Sequence, residues 1–340
     1  MASKHEASEP HEAEPAQKCV KTPLEPYVAS STGREKKLIP TTKAYKNENF
    51  LLSYAARQIR VQCEFQEPAA RLSQCGVMGT ILFFGSARSM SLEDYEDTKS
   101  KLQRELMEKS GDDKKGIIAR LEKLEKTRWM CDSYETLREL ARRLAGWSMN
   151  NPALCEKLAQ NPPMYGTHMR SDGAVAQPLM ICTGGGPGFM EAANRGAHDV
   201  PESQSMGMAI SLPFEKGVNE YVSPNLAFEF HYFFTRKFWM MYSAKAIVIA
   251  PGGYGTFDEM FEMLTLKQTG KVKRIPIVLF GEKYWKNVIN WQFMVEMGTI
   301  SQEDVDELCF TDSVDVAFEF IRKTLEGREP TGLISRSPCE

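Results

Sequence analysis

The apolar run Ala246-Ile247-Val248-Ile249-Ala250 stops abruptly at Pro251-Gly252-Gly253-Tyr254-Gly255-Thr256. That junction constrains the fold more than any other part of the chain. A run this short, bounded by Pro and Gly, reads as a buried strand. Beyond the turn, Met260, Phe261, Met263 and Leu264 recur at helical spacing. A strand, a glycine-rich turn and a helix start, in that order, make a place for an anion. Backbone N–H groups of the turn point outward, and the helix N-terminus adds partial positive charge. Thr256 places a hydroxyl beside those donors. Asp258 and Glu259 fall in the first helical turn, where carboxylates complement the dipole. Glu259 therefore has two readings, one that only stabilises the helix and one that does chemistry.

The same alternation runs through the second half of the chain. Strands are expected at Thr80–Phe84, Leu179–Cys182, Met206–Ser211, Leu226–Phe230, Ala246–Ala250 and Ile275–Phe280. Helices are expected at Phe189–Ala197, Tyr232–Tyr242 and Val314–Leu325, with a shorter one among Phe50, Leu51, Leu52, Tyr54, Ala55 and Ile59. Short apolar strands alternating with helices predict an α/β fold, a Rossmann-like doubly wound parallel sheet covered on both faces. Residues 1–42 are rich in Glu, Lys, His, Pro and Ser with no apolar period, and read as a disordered tail. One nucleotide-binding catalytic domain is expected over 43–330, followed by a short C-terminal tail at 331–340. A charge-rich helical insertion is expected over about 89–177, where Ile118, Leu121, Leu124, Met130, Tyr134, Leu137, Leu140 and Leu144 keep a helical period.

Composition narrows the function classes. With 340 residues and a net charge of −3, the chain has room for a large core and no electrostatic case for a nucleic-acid polymer or a membrane surface. Its eight cysteines form no C-x-x-C pair or zinc-ligand spacing, which fits reduced thiols in an intracellular protein. No metal site or cofactor is expected. The N-terminus lacks an apolar signal core, and its early glutamates argue against a transit peptide. Cytoplasmic localisation is the expectation.

A second glycine loop, Gly184-Gly185-Gly186-Pro187-Gly188, follows a different strand. In a doubly wound sheet both loops face one crevice beyond the strand carboxyl ends. Neither carries G-x-G-x-x-G, because the third glycine position is Phe189 in one and Asp258 in the other. No Walker sequence occurs. The loops suit a monophosphate better than a pyrophosphate. In Phe233-Phe234-Thr235-Arg236-Lys237-Phe238-Trp239-Met240, two adjacent cations sit among aromatics. Adjacent helical residues diverge by about 100°, so at most one of the two faces a given ligand. Either both snorkel to water from a core helix, or one meets a phosphate or a carboxylate such as Glu259. Glu215, after a strand end, is either a sugar- or base-binding carboxylate or a solvated loop charge. Glu191 reads as a helix-dipole residue, His231 as a packed ring, and Cys182 as a thiol with no activator.

Together these residues resemble the Lonely Guy (LOG) family of Rossmann-like phosphoribohydrolases, in its longer form. The resemblance rests on Arg236-Lys237 followed by Pro251 to Glu259, on the Gly184–Gly188 loop with Met190-Glu191-Ala192-Ala193-Asn194-Arg195-Gly196-Ala197, and on Gly85-Ser86. It covers roughly Val77 to Leu325, and the long insertion and the N-terminal tail depart from the compact members. It implies cleavage of the N-glycosidic bond of a nucleoside 5′-monophosphate, AMP-like or a cytokinin riboside monophosphate, to free base and ribose 5-phosphate. Arg236 and Glu259 are the expected catalytic pair. Substrate contacts are expected from Ser86, Gly184, Gly185, Gly186, Glu215, Lys237, Gly252, Gly253, Tyr254, Gly255, Thr256, Asp258 and Thr265. The resemblance also implies a site near a homodimer interface, with Arg236, Lys237 and Thr265 serving across subunits. Some members carry a lysine decarboxylase label, although no lysine here sits in a pyridoxal phosphate context. Scission of a C1′–N bond develops oxocarbenium character, which a nearby carboxylate stabilises while it activates water. The alternative is a non-catalytic nucleotide sensor or carrier on the same fold.

Overall fold

The apolar runs pair into one seven-stranded sheet: β1 Thr80–Phe84, β2 Met180–Thr183, β3 Ser205–Ile210, β4 Ala227–Phe230, β5 Ala244–Ile249, β6 Ile277–Phe280 and β7 Leu308–Thr311. The computed structural model describes residues 40–160, 163, 165, 177–212, 217–272 and 275–327. All neighbouring strands are parallel, in the order β4-β3-β2-β1-β5-β6-β7. Contacts divide the chain at Glu48 and Asn49. Of the first unit, residues 40–48 are described and carry a single 3-10 turn at Ala44–Lys46. The second unit holds the sheet.

Side chains alternate across the strands and both faces are buried, as a parallel sheet requires. Leu82 and Phe84 of β1 join Cys182, Met208 and Ile249 on one face, packed against Leu72, Trp239, Met240, Met260 and Met263. These come from helices Arg57–Gln74, Phe233–Ser243 and Tyr254–Gln268. Ile81 and Phe83 turn to the other face with Ile181 and Val248, against Tyr134, Leu137, Phe189, Ala192 and Ile321. Helices Met130–Met149, Phe189–His198 and Val314–Glu326 cover that side. The result is the doubly wound Rossmann-like α/β fold. Strand order reverses between β1 and β5, and the crevice beyond that point is where such sheets take ligands.

The charge-rich region after Ser89 divides into two parts. Helices Leu92–Glu108 and Asp112–Glu125 form a satellite around Tyr95, Leu102, Ile117, Leu124 and Cys131. Met130–Met149 instead belongs to the sheet, where it crosses from β1 toward β2. A short helix, Pro152–Ala159, follows it. Near the N-terminus the expected single helix is replaced by a short one at Glu48–Leu51 and the eighteen-residue helix Arg57–Gln74. Its polar sequence and the internal Pro68 hide it from periodicity, since proline removes an internal hydrogen bond. β7 escaped notice because only its end residues, Leu308 and Thr311, are buried. The tail expected at 1–42 falls almost wholly, and the one at 331–340 wholly, outside the described residues. Much of 161–176 does too. Among the described residues no helix is long and apolar enough to cross a membrane.

The closest approach under the sheet is at Gly196, where an added Cβ would sit 2.1 Å from the Arg138 carbonyl oxygen of the neighbouring helix. An exposed helical Gly→Ala change gains about 1 kcal/mol from propensity. Here overpacking reverses the sign. Gly196→Ala is expected to lower unfolding free energy by about 1–3 kcal/mol, read from urea midpoints at unchanged slope. A gain in stability would contradict the contact.

Candidate active site

The turns after β1, β2 and β5 open into one cleft of about 830 Å³. Each turn is fixed by packing that its sequence makes possible. At Gly252 an added Cβ would meet Thr256 Oγ1 at 2.1 Å, so only glycine lets the threonine fold back onto the turn. Tyr284 donates its hydroxyl to the Gly252 carbonyl at 2.6 Å and holds the turn from the other side. Gly253 caps helix Tyr254–Gln268 without any side chain to accept from the first turn. The N–H groups of Tyr254, Gly255 and Thr256 thus lack intrahelical acceptors. Gly253, Tyr254, Gly255 and Thr256 all line the cleft, so this helix start borders it. An anion placed there meets several N–H groups and the positive end of the helix dipole.

The turn after β1 is bolted to the glycine turn. Ser86 N–H donates to the Pro251 carbonyl at 2.9 Å, and Phe189 N–H donates to the Ser86 carbonyl at 3.1 Å. Beneath the Gly184–Gly186 loop lies a buried polar network. Thr183 Oγ1 accepts from Gly185 N–H at 2.8 Å and donates to Asn194 Oδ1 at 2.7 Å. Asn194 Nδ2 donates to Ser205 Oγ and to the Met206 carbonyl. Asn219 Nδ2 reaches the carbonyls of Gly185 and Gly186 and also Asn194 Oδ1. Neither asparagine was expected at the site. Both sit among other polar residues, Asn194 beside Arg195 and Asn219 beside Glu220, so nothing local in the sequence marks them.

Arg236 and Glu259 meet inside the cleft, Nη2 to Oε1 at 2.5 Å, each side chain only 11% exposed. Burial pushes the Glu259 carboxyl up to about 7, against the attraction of Arg236 and Lys237. Arg236 Nε is buried and has no hydrogen-bond partner among the described residues. That leaves a donor for a ligand oxygen. The helix bearing Arg236 is capped from far away in sequence. Glu64 accepts from the backbone of His231 at 2.8 Å and from Thr235 Oγ1 at 2.5 Å. A carboxylate at a helix N-terminus complements its dipole, and this one sets where Arg236 points.

Ten expected contact or catalytic residues line the cleft: Ser86, Gly184, Gly186, Arg236, Gly252, Gly253, Tyr254, Gly255, Thr256 and Glu259. Four do not. Gly185 turns away with φ +74°, packed on Val218. Lys237 diverges from Arg236 around the helix and binds Asp258 at 2.6 Å and Glu262 at 2.9 Å. Desolvation opposes its charge, but the two carboxylates outweigh it and raise the Lys237 pKa. Lys237, Asp258 and Thr265 instead share a shallow depression on the adjoining surface. Glu215 lies outside the described residues. The remaining wall is apolar, with Met190, Ile210, Leu212, Phe233, Phe257 and Val288, and Arg88 stands among the lining residues. Among the described residues no group of three or more His, Cys, Asp or Glu side chains is gathered as a metal would need.

A protein family described as "Possible lysine decarboxylase" matches residues 190–321. That span holds the Arg-Lys helix and the glycine turn at Pro251–Thr256, and the match supports the family resemblance of those motifs. No curated protein matches the chain. Among solved structures, the molybdenum cofactor binding protein from the phototrophic bacterium Rippkaea orientalis is 15% identical over 56% of this chain and 88% of its own, with a TM-score of 0.32. That likeness is too slight to argue from. The family's description implies pyridoxal phosphate, which a lysine would hold as a Schiff base. None of the described residues lining the cleft is a lysine, and Lys237 is committed to two carboxylates outside it. The residues present do not fit that cofactor.

Removing Asn194 would leave the buried Thr183 hydroxyl without its acceptor and take one partner each from Asn219, Ser205 and the Met206 carbonyl. Asn194→Ala is expected to destabilise by about 3 kcal/mol, since each unsatisfied buried group costs about 1–3 kcal/mol. Thermal and urea unfolding measure it, and a cost below about 1 kcal/mol would show that the network does not hold the loop.

Proposed function

We propose that this protein hydrolyses the N-glycosidic bond of a nucleoside 5′-monophosphate, AMP or a cytokinin riboside monophosphate, to free base and ribose 5-phosphate. One observation carries the reading: a buried Arg236–Glu259 pair opens into the same cleft as an uncapped helix N-terminus. A binder of anions has no use for a buried carboxylate beside its anion site, because like charges repel. A glycosidase has one. The helix N-terminus and glycine turn take the 5′-phosphate. The apolar wall of Met190, Leu212, Phe233 and Phe257 takes the flat base. Glu259 then lies beside the ribose, where its charge offsets the developing oxocarbenium ion and its oxygen takes a proton from the attacking water. Arg236 offsets part of the burial penalty on the Glu259 charge and offers Nε to a ribose or phosphate oxygen.

The pH behaviour follows from the raised Glu259 value. As a base it works only when ionised, so the rate rises with pH and levels above about 7. Stability runs the other way. A carboxyl whose folded value is raised from 4.5 to about 7 favours folding below 4.5 and loses that contribution as pH climbs through 7. The site thus becomes chemically competent over the range in which it costs stability.

We also read the protein as a homodimer. Phe233, Phe234, Phe238, Tyr254 and Phe261 are exposed on the two helices that carry Arg236 and Glu259. Contiguous exposed apolar side chains on this scale mark interaction surfaces. Light scattering is expected to give twice the chain mass, and Phe261→Glu to shift it toward the monomer. A wild-type monomer at micromolar concentration would reject this.

The activity test uses AMP, CMP, GMP and isopentenyl-AMP, with base release followed by chromatography. Wild-type protein should release base with an acidic limb near pH 7. Glu259→Gln should lower kcat by about 10²–10⁴-fold while still binding nucleotide. Release untouched by Glu259→Gln would end the mechanism. Saturable binding without turnover of any of the four would favour a nucleotide carrier instead.

A further inference from the structure

Resting on that reading, we propose that Arg88 supplies the countercharge for the 5′-phosphate and, with Ser86, forms a second wall of the phosphate site. The argument starts from the charges that face the cleft, which are Arg88, Arg236 and Glu259 among the described lining residues. Arg236 is neutralised by Glu259. Lys237, the other cation of that helix, is tied to Asp258 and Glu262 outside the cleft. Partial charges of a helix terminus amount to about half an elementary charge, whereas a phosphate monoester carries nearly two at neutral pH. The ion pair and the dipole together therefore leave the phosphate undercompensated. Arg88 is exposed, lines the cleft and makes no ion pair among the described residues. It is the cation that closes the balance.

Position supports the same assignment. β1 and β5 are neighbours in the sheet, and Ser86 N–H is bonded to the Pro251 carbonyl at 2.9 Å. The Ser86–Arg88 turn therefore stands directly beside the glycine turn that offers its N–H groups. Within it, Ser86 Oγ accepts from Arg88 N–H at 3.1 Å. This bond orients the hydroxyl and leaves its proton to donate. A guanidinium fork and a hydroxyl adjacent to free backbone donors are what a tetrahedral dianion binds. The far wall is apolar and suits the base, so Arg88 discriminates nucleotide from nucleoside at the phosphate end.

Ribose 5-phosphate, the expected product, is the probe, with ribose as control, and calorimetry is the readout. Arg88→Ala should weaken ribose 5-phosphate by about 10- to 100-fold, the range of a charged hydrogen bond. Arg88→Lys should recover part of this, because the charge returns without the fork. Elevated salt should narrow the difference. In turnover, Arg88→Ala should act mainly on KM for the nucleotide, whereas Glu259→Gln acts on kcat. Arg88 is exposed, so an unchanged thermal midpoint verifies folding. Two failures are separable. Wild-type protein that releases base and binds ribose 5-phosphate no better than Arg88→Ala overturns the Arg88 assignment alone. Wild-type protein that neither binds ribose 5-phosphate nor releases base overturns both this assignment and the glycosidase reading.

Discussion

The pair formed by Arg236 and Glu259 is the interaction on which the site turns. Taking both charges out of water costs several kcal/mol per ion, and only close geometry recovers it. The fold provides that geometry at considerable structural effort. Glu259 rides on a helix whose start is set by Gly252 and Gly253, and Tyr284 pins the Gly252 carbonyl from outside. Arg236 rides on a helix whose N-terminus is held by Glu64, more than one hundred and fifty residues away in sequence. The pair also leaves one guanidinium N–H without a partner among the described residues. Stability alone would have been served better by apolar side chains.

Positioning of the site follows from the topology. Because strand order reverses between β1 and β5, the turns after β1, β2 and β5 converge on one crevice. The polar network of Thr183, Asn194 and Asn219 stiffens one turn, the Thr256 contact stiffens another, and a backbone bond between Ser86 and Pro251 joins the third to it. The glycine-turn side of the cleft is therefore rigid. Its other wall, of methionine, aliphatic and aromatic side chains, is softer and more adaptable.

Much of this was legible in the chain. Six of the seven strands announce themselves as apolar runs, and both glycine turns mark the strand ends that face the crevice. The spacing argument for Arg236 and Lys237 also has its counterpart in the structure: one enters the cleft and the other leaves it. Lys237 and Thr265, which the family resemblance implies serve across subunits, share the adjoining surface with Asp258. A helix turns its neighbouring side chains onto different faces, and motif spacing alone does not say which face meets the crevice. Helix Arg57–Gln74 was hidden because polar contacts dock it, Glu64 on the Arg-Lys helix and Arg71 on Ala227 and Phe228 of β4, and these leave no apolar stripe in its sequence.

The sequence by itself determined the local grammar of this protein: apolar runs short enough to be strands and glycines where backbone must approach closely. These depend on neighbours along the chain, so they can be read along it. Asp258 and Glu259 were misplaced in the first helical turn, because the helix already starts at Tyr254 and puts them in the second. Tertiary structure decided the roles. Whether Glu259 merely stabilises its helix or faces a guanidinium depends on where a second helix lies. Whether Arg88 is an ordinary surface charge or part of an anion site depends on β1 lying beside β5. Both are contacts between segments far apart in sequence, and their energies come from burial and pairing that no local pattern encodes.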